Sequence, residues 1–363
     1  MKAVVLVGGE GTRLRPLTLT APKQMLPIVE QTMVERVLGH LASHGIDEAV
    51  LSLGYRPDAF TGAYPDGVIG GVRSTYAVEP SPLDTAGAIR FAADFAGIDD
   101  TFVVLNGDVL TDFDIAELVA FHRERGAEGT IGLTPVDDPS SFGVVPTGPD
   151  GKVTAFIEKP PRDEAPTNFI NAGIYVLEPS VLKRIAPDVR VSIERETFPA
   201  IVADSALYAL GSEAYWLDTG TPDAYLRAHR DLLSGRRGGP PSPDAVADPE
   251  LGQGVWVIGT VNAVAGSVSR SLLGRDATVA PNATVVDSVI GAGAVVEDGA
   301  TVKDSVLLPG ARVAARATVD HSILGPSSIA GQRCVISGMS VIGADAVIAS
   351  GTTLDGERYP SGS

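Results

Sequence analysis

From about Leu273 onward the chain repeats in sixes, with an aliphatic residue first and a small one in the fifth place. Leu273, Val279 and Val285 share one register, and Ile290, Val296, Val302 and Leu308 share a second. Leu324, Ala330, Ile336, Ile342, Ile348 and Leu354 share a third. Fifth-place residues include Ala277, Ala294, Ala300, Cys334 and Ala346. A period of six sends one aliphatic side chain inward per straight segment and leaves room at each tight corner only for a small one. That is the pattern of a parallel β-helix. The register breaks near residues 286–289 and 319–323 predict loops or loosened coils there.

The chain before residue 235 has a different texture. Lys2–Val7 is a short apolar run rich in valine, which suits a parallel strand buried on both faces. Thr32 and Glu35 form a capping box for a helix whose apolar stripe is Met33, Val34, Val37, Leu38 and Leu41, stopped at Gly45. Strands follow at Glu48–Leu53, Thr75–Glu79 and Thr101–Leu105, with a helix capped by Thr85 running to Phe95. Asp114 and Glu117 cap another helix that ends at Gly126, and Ser192–Pro199 reads as helical. Thr221 and Pro222 open a last helix that ends near Gly235. Alternating strands and helices predict an α/β fold with a doubly wound, Rossmann-like mixed sheet. Ligands of such sheets sit beyond the strand carboxyl ends, where the Gly8 loop, Glu79 and Asp108 all fall.

Residues 235–250 are rich in glycine and proline with little to bury, and read as a linker. The expected organisation is therefore a first domain at 1–234, the linker at 235–250 and the β-helix at 251–363. Hydrophobic residues make up 44% of the 363 and charged residues 20%, an ordinary globular balance. A net charge of −17 argues against nucleic-acid or anionic-membrane partners. One cysteine, Cys334, leaves no intrachain disulfide and no thiolate zinc site. No apolar run approaches the ~18 residues of a membrane span, and Lys2–Val7 is too short for a secretory signal core, so the expected compartment is the cytoplasm. The five histidines show no metal or triad spacing and read as helix-surface or loop residues.

An acidic protein that handles phosphate must gather its cations locally. The first thirty residues carry Lys2, Arg13, Arg15 and Lys23 against Glu10 and Glu30. The strand at Lys2–Val7 runs straight into Gly8-Gly9-Glu10-Gly11-Thr12-Arg13, where glycines let main-chain N–H groups approach an anion. This is a phosphate-handling pattern. It is not a P-loop, because no Gly-Lys-Ser/Thr closes it. A dinucleotide fingerprint fails too, because the third glycine is missing. Asp108 follows a buried strand, and Asp218 lies in a Trp-x-Asp-x-Gly turn; either alone is as consistent with a turn residue as with a ligand.

The run from Gly8 to Lys23 resembles the signature of the sugar-nucleotide pyrophosphorylases, the nucleotidyl-1-phosphate transferases, and the tail resembles left-handed hexapeptide-repeat β-helices. The resemblance implies in-line attack of a sugar phosphate on the α-phosphorus of a nucleoside triphosphate, with Mg2+ held by Asp108 and Asp218. It implies that Arg13 and Lys23 bind the triphosphate and that Lys159, in Phe-Ile-Glu-Lys-Pro, binds the sugar phosphate. Arg13, Lys23, Asp108, Lys159 and Asp218 are thus the candidate catalytic set. Nucleotide-binding positions are Val7, Gly8, Gly9, Gly11, Thr12, Arg13, Lys23, Glu79, Thr85, Ala86, Gly87, Asn106, Gly107 and Asp108. Sugar-phosphate positions are Gly143, Glu158, Lys159, Asn171 and Asp218.

Three segments look most like mannose-1-phosphate guanylyltransferases: Glu79 with Pro82–Gly87, Ile170–Val176 and Ser192–Pro199. That resemblance implies GTP and mannose 1-phosphate as substrates. Guanine presents two donors on one edge, which a carboxylate such as Glu79 can accept. Lys23–Pro27 and Trp216–Thr221 look more like glucose-1-phosphate thymidylyltransferases, so a thymidylyl or uridylyl transferase stays open. So do a non-catalytic regulatory subunit and, with only His321 available as a base in the coils, an acyltransferase. A β-helix with a flat apolar face packs on another copy, so a homo-oligomer is expected.

Overall fold

The computed structural model describes residues 1–361. The chain forms two compact units, one of Met1–Gly9 with Val34–Leu217 and one of Glu10–Met33 with Asp218 onward.

In the first unit the strands Phe102–Asn106, Lys2–Leu6, Glu48–Leu53 and Val72–Val78 lie side by side in that order, all parallel. Ala3, Val4 and Val5 are fully buried, as a strand covered on both faces requires. Phe169–Leu177 joins antiparallel beside Phe102–Asn106, pairing Ile174 with Leu105, and makes the sheet mixed. Gly129–Pro135 pairs antiparallel with it, and Leu207–Gly211 pairs parallel with Gly129–Pro135. The core includes Phe102, Tyr175 and Phe198, the last two in edge contact at 5.1 Å. Burying each such side chain contributes roughly 1.5–3 kcal/mol.

The helices Met33–Ser43, Asp84–Phe95 and Ile115–Arg125 follow the expected order. The Asp114 carboxylate accepts the Glu117 N–H at 2.9 Å, and Gly126 ends that helix in the left-handed region. Thr85 does not cap its helix: the cap position is Leu83, and Thr85 lies inside the first turn. The strand expected at Thr75–Glu79 is Val72–Val78. Ser192–Ala203 is a π-helical turn, Ile193–Thr197, leading into a short α-helix, Phe198–Ala203.

The second unit contains the β-helix, three parallel sheets of short strands with the aliphatic stack inside. Inward positions run Leu273, Val279, Val285, Ile290, Val296, Val302, Leu307, Val313, Val319 and Leu324. The steps are six, six and five as far as Leu324, and six from there through Leu354. The expected loosened coils at 286–289 and 319–323 are therefore these five-residue steps, with the strands paired across them. The inward residue after Val302 is Leu307, beside the equally buried Leu308.

At that shortened corner Asp287, Asp304 and His321 take φ near 50°, 45° and 46°. A buried serine follows each. Ser288 Oγ donates to the Val286 carbonyl at 2.7 Å and accepts the Ser305 N–H at 3.2 Å. Ser271, Ser305 and Ser322 extend the same ladder. The coils begin earlier than Leu273, at Trp256–Ile258, and Ala245–Ala247, inside the glycine- and proline-rich segment, pairs antiparallel with it. Main-chain pairing orders those residues, of which only Ala245 is buried.

Two histidines correct the surface reading. His122 is buried, with Nδ1 at 2.8 Å from Thr130 Oγ1 and Nε2 at 3.0 Å from Glu178. His229, on the helix Pro222–Leu233, is also buried and accepts the Val29 N–H at 3.1 Å. Both sit on the inward face of a helix, paying for burial with hydrogen bonds.

Candidate active site

In the first unit the strand Lys2–Leu6 ends in Val7-Gly8-Gly9. Val7 is fully buried, and its N–H donates to the Ser52 carbonyl at 3.1 Å. Gly8 and Gly54 approach so closely that a Cβ on Gly54 would stand 2.9 Å from the Gly8 carbonyl oxygen. A Cβ on Gly8 would meet Glu79 Oε1 at 3.2 Å. Glu79 thus lies beside the glycine turn. Its two oxygens accept from Ser52 Oγ at 2.9 Å and from the Leu83 N–H at 3.1 Å, which fixes the carboxylate and the loop that follows it.

Thr85, Ala86 and Gly87 have internal partners. The N–H groups of Ala86 and Gly87 both donate to the Val191 carbonyl. Thr85 Oγ1 donates to Glu194 Oε2 at 2.7 Å and accepts the Ile193 N–H at 2.8 Å. Ser192 Oγ donates to the same Glu194 oxygen at 2.8 Å. Glu194 has no role in the sequence analysis, because the partner that ties it to the site, Thr85, lies over a hundred positions away; its only signal is its place in the Ser192–Pro199 run.

The strand Phe102–Asn106 ends in Asn106-Gly107-Asp108, and the Gly107 N–H donates to the Leu6 carbonyl at 2.9 Å. Beside it, Phe169–Leu177 shifts register against its other neighbour, Gly129–Pro135, between Asn171 and Tyr175. Gly173 there has φ near 73°, and a Cβ on it would stand 2.5 Å from Asn106 Nδ2. Asn171 Oδ1 accepts the Gly173 N–H at 2.9 Å, and its Nδ2 donates to the Tyr175 hydroxyl at 2.9 Å. The bulge therefore sets Gly173 against Asn106, with Asn171 bridging Gly173 and Tyr175. Burial, then the negative charge of Glu194, Glu158 and Asp108, holds the Tyr175 hydroxyl well above the ordinary phenol range, with the Asn171 hydrogen bond opposing.

Gly143 pairs with Glu158 across a two-residue antiparallel ladder, and a Cβ on Gly143 would strike the Phe156 ring. Lys159 follows with φ near 51°, its N–H donating to the Phe142 carbonyl at 3.0 Å. Its ammonium is 3.7 Å from Glu158 and its side chain is 59% exposed, so the turn presents the side chain outward. Phe142 meets the Trp216 ring edge-on at 5.6 Å, and Trp216 Nε1 donates to the Ala172 carbonyl at 2.9 Å. Gly143, Glu158, Lys159 and Asn171 are thereby tied into one assembly.

The other candidates belong to the second unit. Gly11 has φ near 64° and its carbonyl accepts from Thr18 Oγ1 at 2.8 Å; a Cβ on it would meet Lys23 Cβ at 3.0 Å. Lys23 therefore packs against the glycine, and Thr12 and Arg13 are exposed. The Arg13 guanidinium is 3.7 Å from Asp218 Oδ2, and Asp218 Oδ1 accepts the Gly220 N–H at 2.8 Å. Asp108 in the first unit and Asp218 in the second are each partly buried, and each presents hard carboxylate oxygens of the kind a divalent cation takes. No cluster of three or more such ligands occurs among the described residues. No helix among them is long and apolar enough to cross a membrane.

Residues 2–235 match the family model "Nucleotidyl transferase", and residues 267–359 match "GMPPB C-terminal domain". The chain is 45% identical over 245 residues to a mannose-1-phosphate guanylyltransferase of Mycobacterium tuberculosis, covering 66% of each. It is 45% identical over 233 residues to a mannose-1-phosphate guanyltransferase of Aspergillus fumigatus, covering 62% of each. The matched part thus spans just under two thirds of these relatives' length. Among solved structures, HddC from Yersinia pseudotuberculosis complexed with GMP-PN superposes with a TM-score of 0.55 at 26% identity, over 63% of this chain and 98% of that one.

Proposed function

The chain belongs to the nucleotidyl transferase family, and from that premise we propose that it makes GDP-mannose and pyrophosphate from GTP and α-D-mannose 1-phosphate. A phosphate oxygen of the sugar phosphate attacks the α-phosphorus in line, the bond to the bridging oxygen breaks, and pyrophosphate leaves with its electron pair. No nucleophilic side chain is required. The task of the protein is to bring two polyanions together and offset their charge. Residues 1–234 carry this chemistry and 251–363 support it.

In this reading Lys159 binds the sugar phosphate, while Glu158 and Asn171 accept and donate hydrogen bonds to sugar hydroxyls. Arg13, with the main chain of Gly8, Gly9, Gly11 and Thr12, binds the triphosphate, and Lys23 lies near its α-phosphate. Asp108 and Asp218 hold Mg2+, which when bound neutralises phosphate charge. The assembly of Gly143, Glu158, Lys159 and Asn171 against Asn106-Gly107-Asp108 is the observation that supports the reading best. Thr85, Ala86 and Gly87 act through the loop they hold, since their amide and hydroxyl groups bond to Val191, Ile193 and Glu194. Both Glu79 oxygens retain acceptor capacity beyond their present bonds, so the carboxylate can still receive guanine N1–H. The β-helix keeps Val335 and Val347 exposed at 40% and 58%, which favours self-association through its last coils. The proposed compartment is the cytoplasm.

Pyrophosphate release should be measured with GTP, dTTP, UTP and ATP against mannose 1-phosphate and glucose 1-phosphate. GTP with mannose 1-phosphate is expected to dominate, and Glu79→Gln to narrow that preference. Dominance of dTTP or UTP with glucose 1-phosphate would replace this reading with the thymidylyl or uridylyl transferase.

A further inference from the structure

The segment Gly11–Thr20 is built from short 3-10 turns closed by its own main chain. The Leu14 N–H donates to the Gly11 carbonyl at 2.9 Å, Arg15 to Thr12 at 3.2 Å, and Leu19 to Pro16 at 3.2 Å. Its ion pairs do little to fix the backbone. Arg13 is 62% exposed at 3.7 Å from Asp218, and Arg15 lies 3.4 Å from an exposed Glu10. Exposed pairs of that length are worth ~0–1 kcal/mol.

The β-helix supplies what those pairs lack. Arg358, in the edge strand Arg358–Tyr359, donates from Nη1 to the Arg15 carbonyl at 3.1 Å. The buried Pro16 ring rests on Gly343, where a Cβ would stand 3.2 Å from Pro16 Cβ and 3.4 Å from its Cγ. Gly343 is itself anchored, since its N–H donates to the Tyr359 carbonyl at 2.7 Å. Val341 and Ile342 pair in register with Arg358 and Tyr359. Two adjacent residues of the phosphate-handling segment are thus fixed by two adjacent rungs of one sheet, one through a charge-assisted hydrogen bond and one through close packing.

We propose that Arg358 and Gly343 are positioning residues for nucleotidyl transfer, holding Arg15 and Pro16 so that Gly11, Thr12 and Arg13 meet the triphosphate. The inference rests on the guanylyl-transfer reading above. Neither residue touches substrate; both act through the segment's backbone. A binding loop needs its groups held to within about 0.5 Å, which a supporting contact of this kind provides.

The test is full-chain Arg358→Ala, Arg358→Lys and Gly343→Val, with three readouts. Arg358→Ala is expected to raise the KM for GTP about three- to tenfold, the loss of one partly exposed charge-assisted hydrogen bond. The KM for mannose 1-phosphate and the melting temperature should barely move. Arg358→Lys should recover part of the effect, and Gly343→Val, which displaces Pro16, should exceed it. Tryptic cleavage after Arg13, mapped by mass spectrometry, should accelerate in Arg358→Ala relative to wild type. Wild-type GTP kinetics in both Arg358→Ala and Gly343→Val would overturn the proposal. If the wild type does not turn over GTP and mannose 1-phosphate, the functional reading has failed, and cleavage at Arg13 decides the brace on its own: unchanged cleavage overturns it.

Discussion

Left-handed backbone means different things in the two units. In the β-helix it recurs around the coils: Asp287, Asp304 and His321 repeat one corner, and Arg316 and Arg333 another. There it is the geometry of turning a short strand, and each corner is underwritten by the same serine or main-chain bond as its neighbours. In the α/β unit non-glycine residues with positive φ are isolated, and two stand at the candidate site. Asp84, at φ near 61°, precedes Thr85, and Lys159, at φ near 51°, follows Glu158. The same outlier closes a repeat in one place and aims a single side chain in the other. Strain is informative only against the local pattern.

The largest expected effect comes from replacing one residue of each kind by glycine, which relieves the same steric cost of ~1–2 kcal/mol. Lys159→Gly should lower kcat/KM by about a hundredfold, as loss of a charge on a reacting phosphate does. Arg316→Gly should leave kcat/KM unchanged, and both should shift melting by only a few degrees. Equal activity losses would erase the distinction between the units.

Next in size is Gly173→Ala. The new methyl group has a disfavoured φ and nowhere to go beside Asn106, so urea unfolding should show a loss of about 2 kcal/mol or more, together with a raised KM for the sugar phosphate. The β-helix counterpart is Ser288→Ala, which removes the acceptor of the buried Ser305 N–H. It should cost ~1–2 kcal/mol in urea unfolding with no change in KM. A catalytic change there would mean that the ladder does more than close coils.

The smallest effect concerns pH. Burial, partly opposed by Glu178, lowers the His122 pKa below its ordinary value near 6.5. The folded state therefore binds this proton less readily than the unfolded chain. The contribution is fully present above pH ~6.5 and is lost as pH falls through the folded pKa. Unfolding free energy measured at pH 7.5 and 5.5 should drop less in His122→Asn than in wild type.

Much of this fold is legible from residue order. The caps at Asp114 and Thr221 appear where expected, because both depend on contacts three residues away. The aliphatic positions of the β-helix are legible for the same reason, but the seventeen-residue coil is not. A five-residue step looks like a break until the stacked coils show the same corner shortened three times, before Ile290, Leu307 and Leu324. His122, His229 and Glu194 were illegible because Glu178, Val29 and Thr85, which they meet, are remote from them in the chain. Ala245–Ala247 was hidden because pairing to Trp256–Ile258, rather than side-chain pattern, makes it a strand. At the candidate site, residue types were readable and commitments were not: Ala86 and Gly87 offer amides on paper that Val191 already holds.

The most direct measurement is a double-mutant cycle on Asp108 and Asp218, read as kcat/KM for GTP and mannose 1-phosphate across a Mg2+ titration. Two carboxylates serving one ion act as a unit, so Asp108→Asn and Asp218→Asn should each cost at least about a hundredfold and the pair scarcely more than either. Each should also raise the Mg2+ concentration needed for half-maximal rate. Losses that multiply, with an unchanged Mg2+ requirement, would mean that the two aspartates serve separate purposes and that this catalytic site is wrongly drawn.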